Sequence, residues 1–277
     1  MILYPAPVEG GSRGSRGIQK SEPSERFFTV NKTHLLAIPV FNEERYVDGV
    51  LREVLPYGCD TLVVDDGSTD GTACLLRRHP WISVLTHLEN RGYGKSLADA
   101  FDFARRHRYD WLITMDCDEQ HEPAYIPQFI EATLKGDADI ISGTRYPRGF
   151  DADSGAPPDR REINRTLTAL LNARLGLRLT DAFCGFKAYR VATLEHLCIT
   201  VPGYAMPMQF WVQAARARLR ITELPIKLIY KDPTRHFGGI LDDPEARLQH
   251  YRAVLDRAMQ AAPPVPTPMP LDCCGCR

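Results

Sequence analysis

The sequence predicts an α/β fold with a mainly parallel central sheet, on three observations. Short apolar runs alternate with amphipathic helical patterns between residues 35 and 230. The first run is apolar at every position, as in a parallel strand that is covered on both faces. Polar residues follow several runs at once, and ligands of parallel sheets bind beyond these carboxyl ends of the strands. We therefore expect a ligand site along one edge of the sheet.

The elements follow in order along the chain. Apolar runs predict strands at residues 35–40, 61–64, 82–85, 111–115, 140–142 and 221–230. Helical periodicity predicts helices at 47–55, after the turn residues 67–72, and at 97–104, 123–134, 161–178, 191–197, 208–219 and 244–259. The helix at 161–178 is basic and amphipathic. It either packs on the sheet with solvated arginines or offers a surface to phosphate or membrane headgroups.

The 277 residues divide into three predicted parts. Residues 1–32 are rich in Gly and Ser and predict a flexible leader, residues 33–260 form one domain, and residues 261–277 are a Pro-rich tail that contains cysteines. The net charge of −1 gives no overall field that would attract nucleic acid. No apolar stretch approaches the roughly 20 residues of a membrane-spanning helix, so we expect a cytoplasmic protein, or one peripheral to a membrane.

The strand at 111–115 ends in Asp116, Cys117 and Asp118. The two-residue period of an extended chain places both carboxylates on one side and Cys117 on the other. Neighbouring carboxylates repel each other unless a cation lies between them, and oxygen ligands favour Mg²⁺ or Mn²⁺. The alternative is a pair of solvated loop acids.

Polar residues at other predicted strand ends favour the metal interpretation. Since the carboxyl ends of parallel strands meet at one edge, the following residues are expected to lie together: Asn42 and Glu43, Asp65 and Asp66, Asp116 and Asp118, and Arg145.

Two common phosphate-binding motifs do not fit. Residues 94–96 read Gly-Lys-Ser, but Glu89 stands where a P-loop requires glycine. The first strand is followed by no glycine, which excludes a dinucleotide fingerprint. The candidates for phosphate binding are instead five basic residues: Arg145, Lys187, Arg190, Lys231 and Arg235.

These residues suggest a metal-bound diphosphate as a leaving group, whose developing charge the cation offsets. A hydroxyl acceptor would need a general base, for which Asp181 is the leading candidate. A phosphate acceptor is already anionic and would need none.

A set of motifs occurs in a fixed order along the chain: residues 41–43, 63–72, Asn90 and Gly92, residues 116–121, and residues 143–146. Together they resemble family 2 glycosyltransferases of the GT-A fold. Within that family the chain is similar to dolichol-phosphate mannosyltransferases and related polyprenyl-phosphate glycosyltransferases. The resemblance covers about residues 34–230 and implies a single-domain, Rossmann-like three-layer sandwich.

The resemblance also implies roles for matching residues. Those that bind the nucleotide of the sugar donor are Pro39, Phe41, Glu43, Val64 and Asp66. Those that hold the metal and the diphosphate are Asp116, Cys117, Asp118 and Gln120, with Asp116 and Asp118 as metal ligands. Arg145 meets the donor phosphates, and residues 180–186 match a motif on the acceptor side. Asp181 and Asp118 are the predicted catalytic residues.

Three departures from the family pattern affect the substrates rather than the fold. Cys117 replaces a common alanine, and Gln209 stands where the family usually has an acid. Residues 232–239 replace a Gly-x-Ser-Lys segment, so Lys231 or Arg235 would supply the positive charge.

The prediction is a metal-dependent enzyme that moves a sugar from GDP-mannose or a UDP-sugar to a polyprenyl or dolichyl phosphate at a membrane surface. One alternative is transfer to a soluble sugar or small-molecule hydroxyl, with Asp181 as base. The other is a nucleotide-sugar-binding protein that has lost catalysis, which Gln209 and the altered segment 232–239 motivate.

Overall fold

The computed structural model describes residues 33–117, 122–147, 157–227, 229 and 239–263. Its strands are β1 His34–Val40, β2 Asp60–Asp65, β3 Ser83–Thr86, β4 Trp111–Thr114, β5 Ile140–Thr144, β6 Lys187–Arg190 and β7 Ile221–Pro225. Its α-helices are α1 Val47–Val54, α2 Thr72–Leu76, α3 Tyr93–Arg106, α4 Ile126–Leu134, α5 Pro158–Leu175, α6 Met206–Arg216 and α7 Pro244–Gln260. The predicted leader, most of the predicted tail, and Asp118, Gln120, Lys231 and Arg235 lie outside the described residues.

One seven-stranded sheet joins all these strands in the order β3-β2-β1-β4-β6-β5-β7. The pairs β1–β2, β1–β4, β2–β3 and β5–β7 are parallel, whereas β6 runs antiparallel to both β4 and β5. The prediction of an α/β fold with a mainly parallel sheet is therefore confirmed. Because β4 and β5 point the same way, the carboxyl ends of β1, β2, β4 and β5 lie at one edge.

The strand β6 was not predicted from the sequence. Its four residues, Lys-Ala-Tyr-Arg, begin and end with a charge and show neither an apolar run nor a clear alternation. Its reversed direction brings its amino end, and the segment before it, to the edge where the other strands finish. The predicted strand at 221–230 is shorter than expected and ends at Pro225, and the predicted helix at 191–197 is a 3₁₀ helix, Val191–His196.

Both faces of the sheet are buried, which makes three layers. In β1, Leu35 and Ala37 pack into the cluster beneath α3, α5, α6 and α7. The alternating Leu36 and Ile38 pack into the cluster beneath α1, α2 and α4. This two-sided burial explains why the strand carries no polar alternation.

The described helices include none that is both long enough and apolar enough to cross a bilayer.

Candidate active site

The loops that follow β1 and β2 form one hydrogen-bonded wall at the carboxyl edge. The Asn42 backbone N–H donates to Ser68 Oγ at 2.9 Å, and the Thr69 N–H donates to Asn42 Oδ1 at 2.8 Å. Asn42 has a left-handed φ of 56°, which an Asn tolerates better than most residues. The Gly71 N–H donates to Glu44 Oε2 at 2.7 Å. These reciprocal bonds fix the two loops relative to each other.

The predicted nucleotide-binding residues on this wall differ in how they can meet a ligand. Phe41 has 42% of its surface exposed at the end of β1. Glu43 is buried, and its N–H donates to Thr72 Oγ1 at 2.8 Å. Pro39 pairs with Val64 in the register of β1 and β2, and Val64 is buried in the core. Phe41 therefore has the most exposed side chain of the residues predicted to bind the nucleotide.

Asp66 joins the end of β2 to the glycine-rich loop before α3. Its Oδ1 accepts the Arg91 N–H at 2.8 Å and lies 2.6 Å from His87 Nδ1, while its Oδ2 accepts the Gly92 N–H at 2.8 Å. The Nε2 of His87 lies 2.9 Å from Asp99 Oδ2. The sequence indicated both the loop and Asp66, but no local pattern indicated His87 or the contact between them.

Gly92 allows this loop to pack tightly. Its φ of 95° suits glycine, and a Cβ at this position would overlap the Pro202 carbonyl oxygen. The N–H of Lys95 donates to the same Pro202 oxygen at 3.2 Å. The glycine-rich loop is therefore held by Asp66 on one side and by the segment before α6 on the other.

Asp116 lies half-buried just beyond β4, and its carboxylate has a fixed orientation. The Tyr93 hydroxyl donates to Asp116 Oδ1 at 3.0 Å. A Cβ on Gly185 would overlap the same carboxylate, so a side chain at this position would displace it. Burial raises the pKa of Tyr93 well above its usual value, and the charge of Asp116 raises it further. The phenol therefore stays protonated and remains a donor.

Tyr204 shows how closely the acids converge. Its ring stacks on that of Tyr93 with centroids 5.8 Å apart. Partial burial raises the pKa of the Tyr204 hydroxyl, and so do the negative charges of Asp116, Glu43 and Asp66. Three predicted site residues, one from the end of each of β4, β1 and β2, thus raise the pKa of the same hydroxyl. Neither tyrosine was among the residues predicted from the sequence.

The surroundings of Asp116 fit a hard divalent cation. Its carboxylate supplies an oxygen ligand at the edge where phosphate-binding residues were predicted, and its partner Asp118 is two positions further on. In residues 33–117, 122–147, 157–227 and 239–263, three His, Cys, Asp or Glu side chains never group together as a metal site. Cys117 is buried in the core on the opposite side, as the two-residue period predicts.

Arg145, after β5, forms a bidentate ion pair with Asp181. Its Nε donates to Asp181 Oδ2 at 2.6 Å and its Nη2 donates to Oδ1 at 3.0 Å. The Asn164 Nδ2 of α5 also donates to Oδ1, at 2.8 Å. Asp181 is fully buried. Burial alone raises the pKa of Asp181, but the charge and hydrogen bonds of Arg145 outweigh it and lower the pKa to about 2.

The hydrogen bonds and the low pKa of Asp181 bear on its predicted role as a general base. A base needs an accessible lone pair and a pKa near the working pH, whereas both oxygens of Asp181 accept hydrogen bonds and its pKa is low. Its two oxygens hold the guanidinium of Arg145. The sequence suggested Arg145 and Asp181 as site residues in different roles. Their contact depends on the fold, because they are 36 positions apart in the sequence.

Glu223 of β7 fixes the backbone that carries Asp181. Its Oε1 accepts the Thr180 N–H at 2.8 Å and the Asp181 N–H at 3.2 Å, and its Oε2 accepts the Thr180 hydroxyl at 2.8 Å. Thr180 Oγ1 also lies 2.6 Å from Thr144 Oγ1. Sequence reasoning missed Glu223, because a single acid inside a strand has no local signature.

Among the other basic candidates, Lys187 and Arg190 lie at opposite ends of β6. Lys187 is at the site edge and buried. Arg190 is at the far edge, where its Nε lies 3.2 Å from Asp139 Oδ1 and its Nη2 donates to the Ala138 carbonyl at 2.9 Å. Arg190 therefore stabilises the fold and is not part of the site.

Gln209 has a structural role in α6. Its Oε1 accepts the N–H groups of Thr200 and Val201 at 2.9 and 3.0 Å, and its Nε2 donates to Thr200 Oγ1 at 2.8 Å. The segment it holds leads directly to Pro202, which packs on the glycine-rich loop. The amide of Gln209 acts in these contacts both as acceptor and as donor. Gln209 therefore gives no support to the alternative of lost catalysis.

Residues 36–198 match the family model "Glycosyl transferase family 2". The chain belongs to this family and is a glycosyltransferase, as its sequence motifs predicted.

Two curated relatives cover most of the chain. An undecaprenyl-phosphate mannosyltransferase of Micrococcus luteus is 31% identical over an alignment of 221 residues, and the match covers 76% of this chain and 89% of the relative. A polyprenol monophosphomannose synthase of Mycolicibacterium smegmatis is 29% identical over 203 residues, 69% of this chain and 76% of the relative.

Solved structures confirm the GT-A fold. The chain superposes on glucosyl-3-phosphoglycerate synthase of Mycobacterium tuberculosis, crystallised with Mn²⁺, UDP and glucosyl-3-phosphoglycerate. The TM-score is 0.62 with 19% identity, over 83% of this chain and 81% of the other. Mannosyl-3-phosphoglycerate synthase of Rubrobacter xylanophilus superposes with a TM-score of 0.60 and 17% identity, over 82% of this chain and 72% of the other.

Proposed function

We propose that this enzyme transfers mannose from a nucleoside diphosphate donor, in the first place GDP-mannose, to a polyprenyl phosphate. The similarity to undecaprenyl-phosphate mannosyltransferase over most of both chains supports the sugar and the acceptor. The single structural observation that carries the choice of acceptor is the state of Asp181. With this carboxylate fully committed to Arg145, the site lacks the predicted base that a hydroxyl acceptor would need. A phosphate acceptor is already a nucleophile.

The donor nucleotide would lie along the wall formed by the loops after β1 and β2. Phe41 offers an exposed ring for the base, and Glu43 and Asp66 are the acids that the resemblance assigns to the nucleotide. Arg145 would contact the diphosphate. Because Asp181 and Glu223 hold it in place, little conformational entropy is lost when it binds phosphate.

We assign Asp116 and Asp118 to a bound Mg²⁺ or Mn²⁺. The cation, when bound, would offset the negative charge that develops on the leaving diphosphate. Tyr93 and Gly185 would hold the Asp116 carboxylate in one orientation for that purpose.

The test is a transfer assay with the full chain, Mn²⁺ and undecaprenyl phosphate in detergent. Labelled GDP-mannose and UDP-glucose are supplied in parallel, and the label is counted in the organic phase. We expect mannose to enter the organic phase in a metal-dependent way. Label found only in water-soluble products would refute the lipid acceptor, and preference for UDP-glucose would refute the donor.

Asp118→Ala tests the metal assignment in the same assay. We expect loss of transfer and of metal-dependent donor binding, because the second carboxylate of the pair is gone. Asp137→Ala is the matched control, since Asp137 is exposed in the turn before β5. Donor binding by Asp118→Ala that still responds to metal as in the wild type would contradict the assignment.

A further inference from the structure

His87 is a buried histidine that lies between two carboxylates, and the proposed mechanism does not use it. Its Nδ1 is 2.6 Å from Asp66 Oδ1 and its Nε2 is 2.9 Å from Asp99 Oδ2, while only 7% of the residue's surface is exposed. A ring nitrogen can donate to a carboxylate only when it carries a proton, so both contacts are hydrogen bonds when the ring is an imidazolium cation. The geometry therefore favours a buried cation between the two acids.

Rigid elements hold His87 in this position. It directly follows β3, and its backbone N–H donates to the Asp65 carbonyl at the end of β2 at 2.9 Å. Asp99 belongs to α3, where the ammonium group of Lys95, one turn earlier, pairs with its other oxygen. Positive and negative groups thus alternate from Lys95 through Asp99 and His87 to Asp66. This alternation ties the end of β2 to the first turns of α3.

The contacts of Asp66 leave part of its carboxylate open. A carboxylate has about four acceptor positions. Two of those on Asp66 Oδ1 are taken by the Arg91 N–H and His87 Nδ1, and one on Oδ2 is taken by the Gly92 N–H. The described residues therefore leave one acceptor position on Oδ2. Two of the three donors belong to the glycine-rich loop, whereas His87 belongs to the end of a strand.

We propose that His87 is a positioning residue for the sugar donor. It fixes the Asp66 carboxylate so that Oδ2 accepts a hydrogen bond from an N–H or O–H group of the donor's nucleoside. His87 contacts Asp66 and acts through it, not on the reacting atoms. The inference rests on the proposed function, from which it takes a nucleotide donor at Asp66, and it adds the residue that holds Asp66 in place.

Two substitutions of His87 separate its two ring contacts. The amide nitrogen of Asn stands as many bonds from Cβ as Nδ1 does, so His87→Asn keeps a donor for Asp66 and loses the contact with Asp99. The amide nitrogen of Gln stands as many bonds from Cβ as Nε2 does, so His87→Gln keeps a donor for Asp99 and loses the contact with Asp66. His196→Gln is the matched control, because 40% of the His196 side chain is exposed.

Calorimetry on the full chain with Mn²⁺ measures the binding of GDP, UDP and inorganic pyrophosphate. We expect His87→Gln to bind GDP about tenfold more weakly than the wild type, the usual effect of losing a hydrogen bond to a charged group. His87→Asn and the control should stay within about threefold of the wild type. Pyrophosphate binding should change less than about twofold in every variant, because the diphosphate is assigned to the metal and Arg145.

Melting temperatures show whether packing explains the result. Asn leaves unfilled space where part of the imidazole ring lay, whereas Gln fills more of it. A purely structural role therefore predicts a lower melting temperature and weaker GDP binding in His87→Asn than in His87→Gln. The positioning role predicts the reverse order for GDP binding, whichever variant melts at the lower temperature.

Equal GDP affinities of the two variants, or weaker binding by His87→Asn, would overturn the inference and leave the proposed function standing. Loss of pyrophosphate binding in parallel with GDP binding would also overturn it, because the whole site would then be disturbed. Stronger binding of UDP than of GDP by the wild type, with His87→Gln again the weaker variant, would support His87 as a positioning residue and refute the proposed donor. A wild type that binds neither nucleotide would overturn both proposals.

Discussion

Replacing Asp181 with Asn separates a structural role for this carboxylate from a catalytic one. The substitution removes the charge that faces Arg145 and leaves the guanidinium buried without its counter-ion. Breaking a buried ion pair by removing one partner costs about 3–5 kcal/mol. The lowered pKa of Asp181 supports this order of magnitude. A fall from 3.8 to about 2 means that the fold stabilises the charged carboxylate over the protonated one by about 2 kcal/mol. We expect Asp181→Asn to lose several kcal/mol of unfolding free energy.

Urea unfolding at pH 7 measures this loss, with Asp137→Asn as the control at an exposed site. The pH dependence follows from the sign of the pKa change. Because folding lowers the pKa of Asp181, its contribution is fully present above about pH 4 and is lost as the pH falls towards 2. The difference between wild type and Asp181→Asn should therefore be constant from pH 5 to 7 and shrink below pH 4.

A general base would behave in the opposite way. If Asp181 served only as a base, with no part in holding Arg145, Asp181→Asn would keep an unfolding free energy close to that of the wild type and lose turnover by orders of magnitude. That result would refute the ion-pair reasoning and restore the hydroxyl acceptor as a candidate.

Two further predictions concern side chains that position the site. Tyr93→Phe removes the donor to Asp116 Oδ1, so we expect Mn²⁺ binding, followed by electron paramagnetic resonance, to weaken about fivefold. Tyr57→Phe, on the other side of the sheet, is its control, and unchanged Mn²⁺ affinity in Tyr93→Phe would contradict the role. Gln209→Glu restores the acid usual in the family but loses the donor to Thr200 Oγ1, so we expect a slightly lower melting temperature and turnover within about twofold of wild type. A large gain in turnover would instead identify Gln209 as a replaced catalytic acid.

Much of the fold was predictable because its signals are local. The apolar runs of β1, β2 and β4 reflect burial on both faces of a parallel sheet, which leaves a mark at every position of the strand. The direction of those strands then places Asp66, Asp116 and Arg145 at one edge. Motifs of this edge were also sufficient to identify the family.

The short strand β6 escaped prediction for a physical reason. It is buried between β4 and β5 by pairing partners that lie far away in the sequence, so its own four residues need no strong pattern. The position of β6 in the sheet determines where residues 184–187 lie. It places Gly185 beside the Asp116 carboxylate and Lys187 in the lining of a small cavity next to α3 and α6.

The sequence by itself determined the fold class and the edge of the sheet at which Glu43, Asp66 and Asp116 lie. Only the tertiary structure decided which of them act on each other: Arg145 with Asp181, Asp66 with the glycine-rich loop, and Tyr93 with Asp116. Whether a strand is buried, and which way it runs, can be read from the residues next to each other in the sequence. Which charged side chains pair depends on contacts between segments that are distant in the sequence. For Asp181 that difference brought the predicted base into contact with Arg145, as its counter-ion.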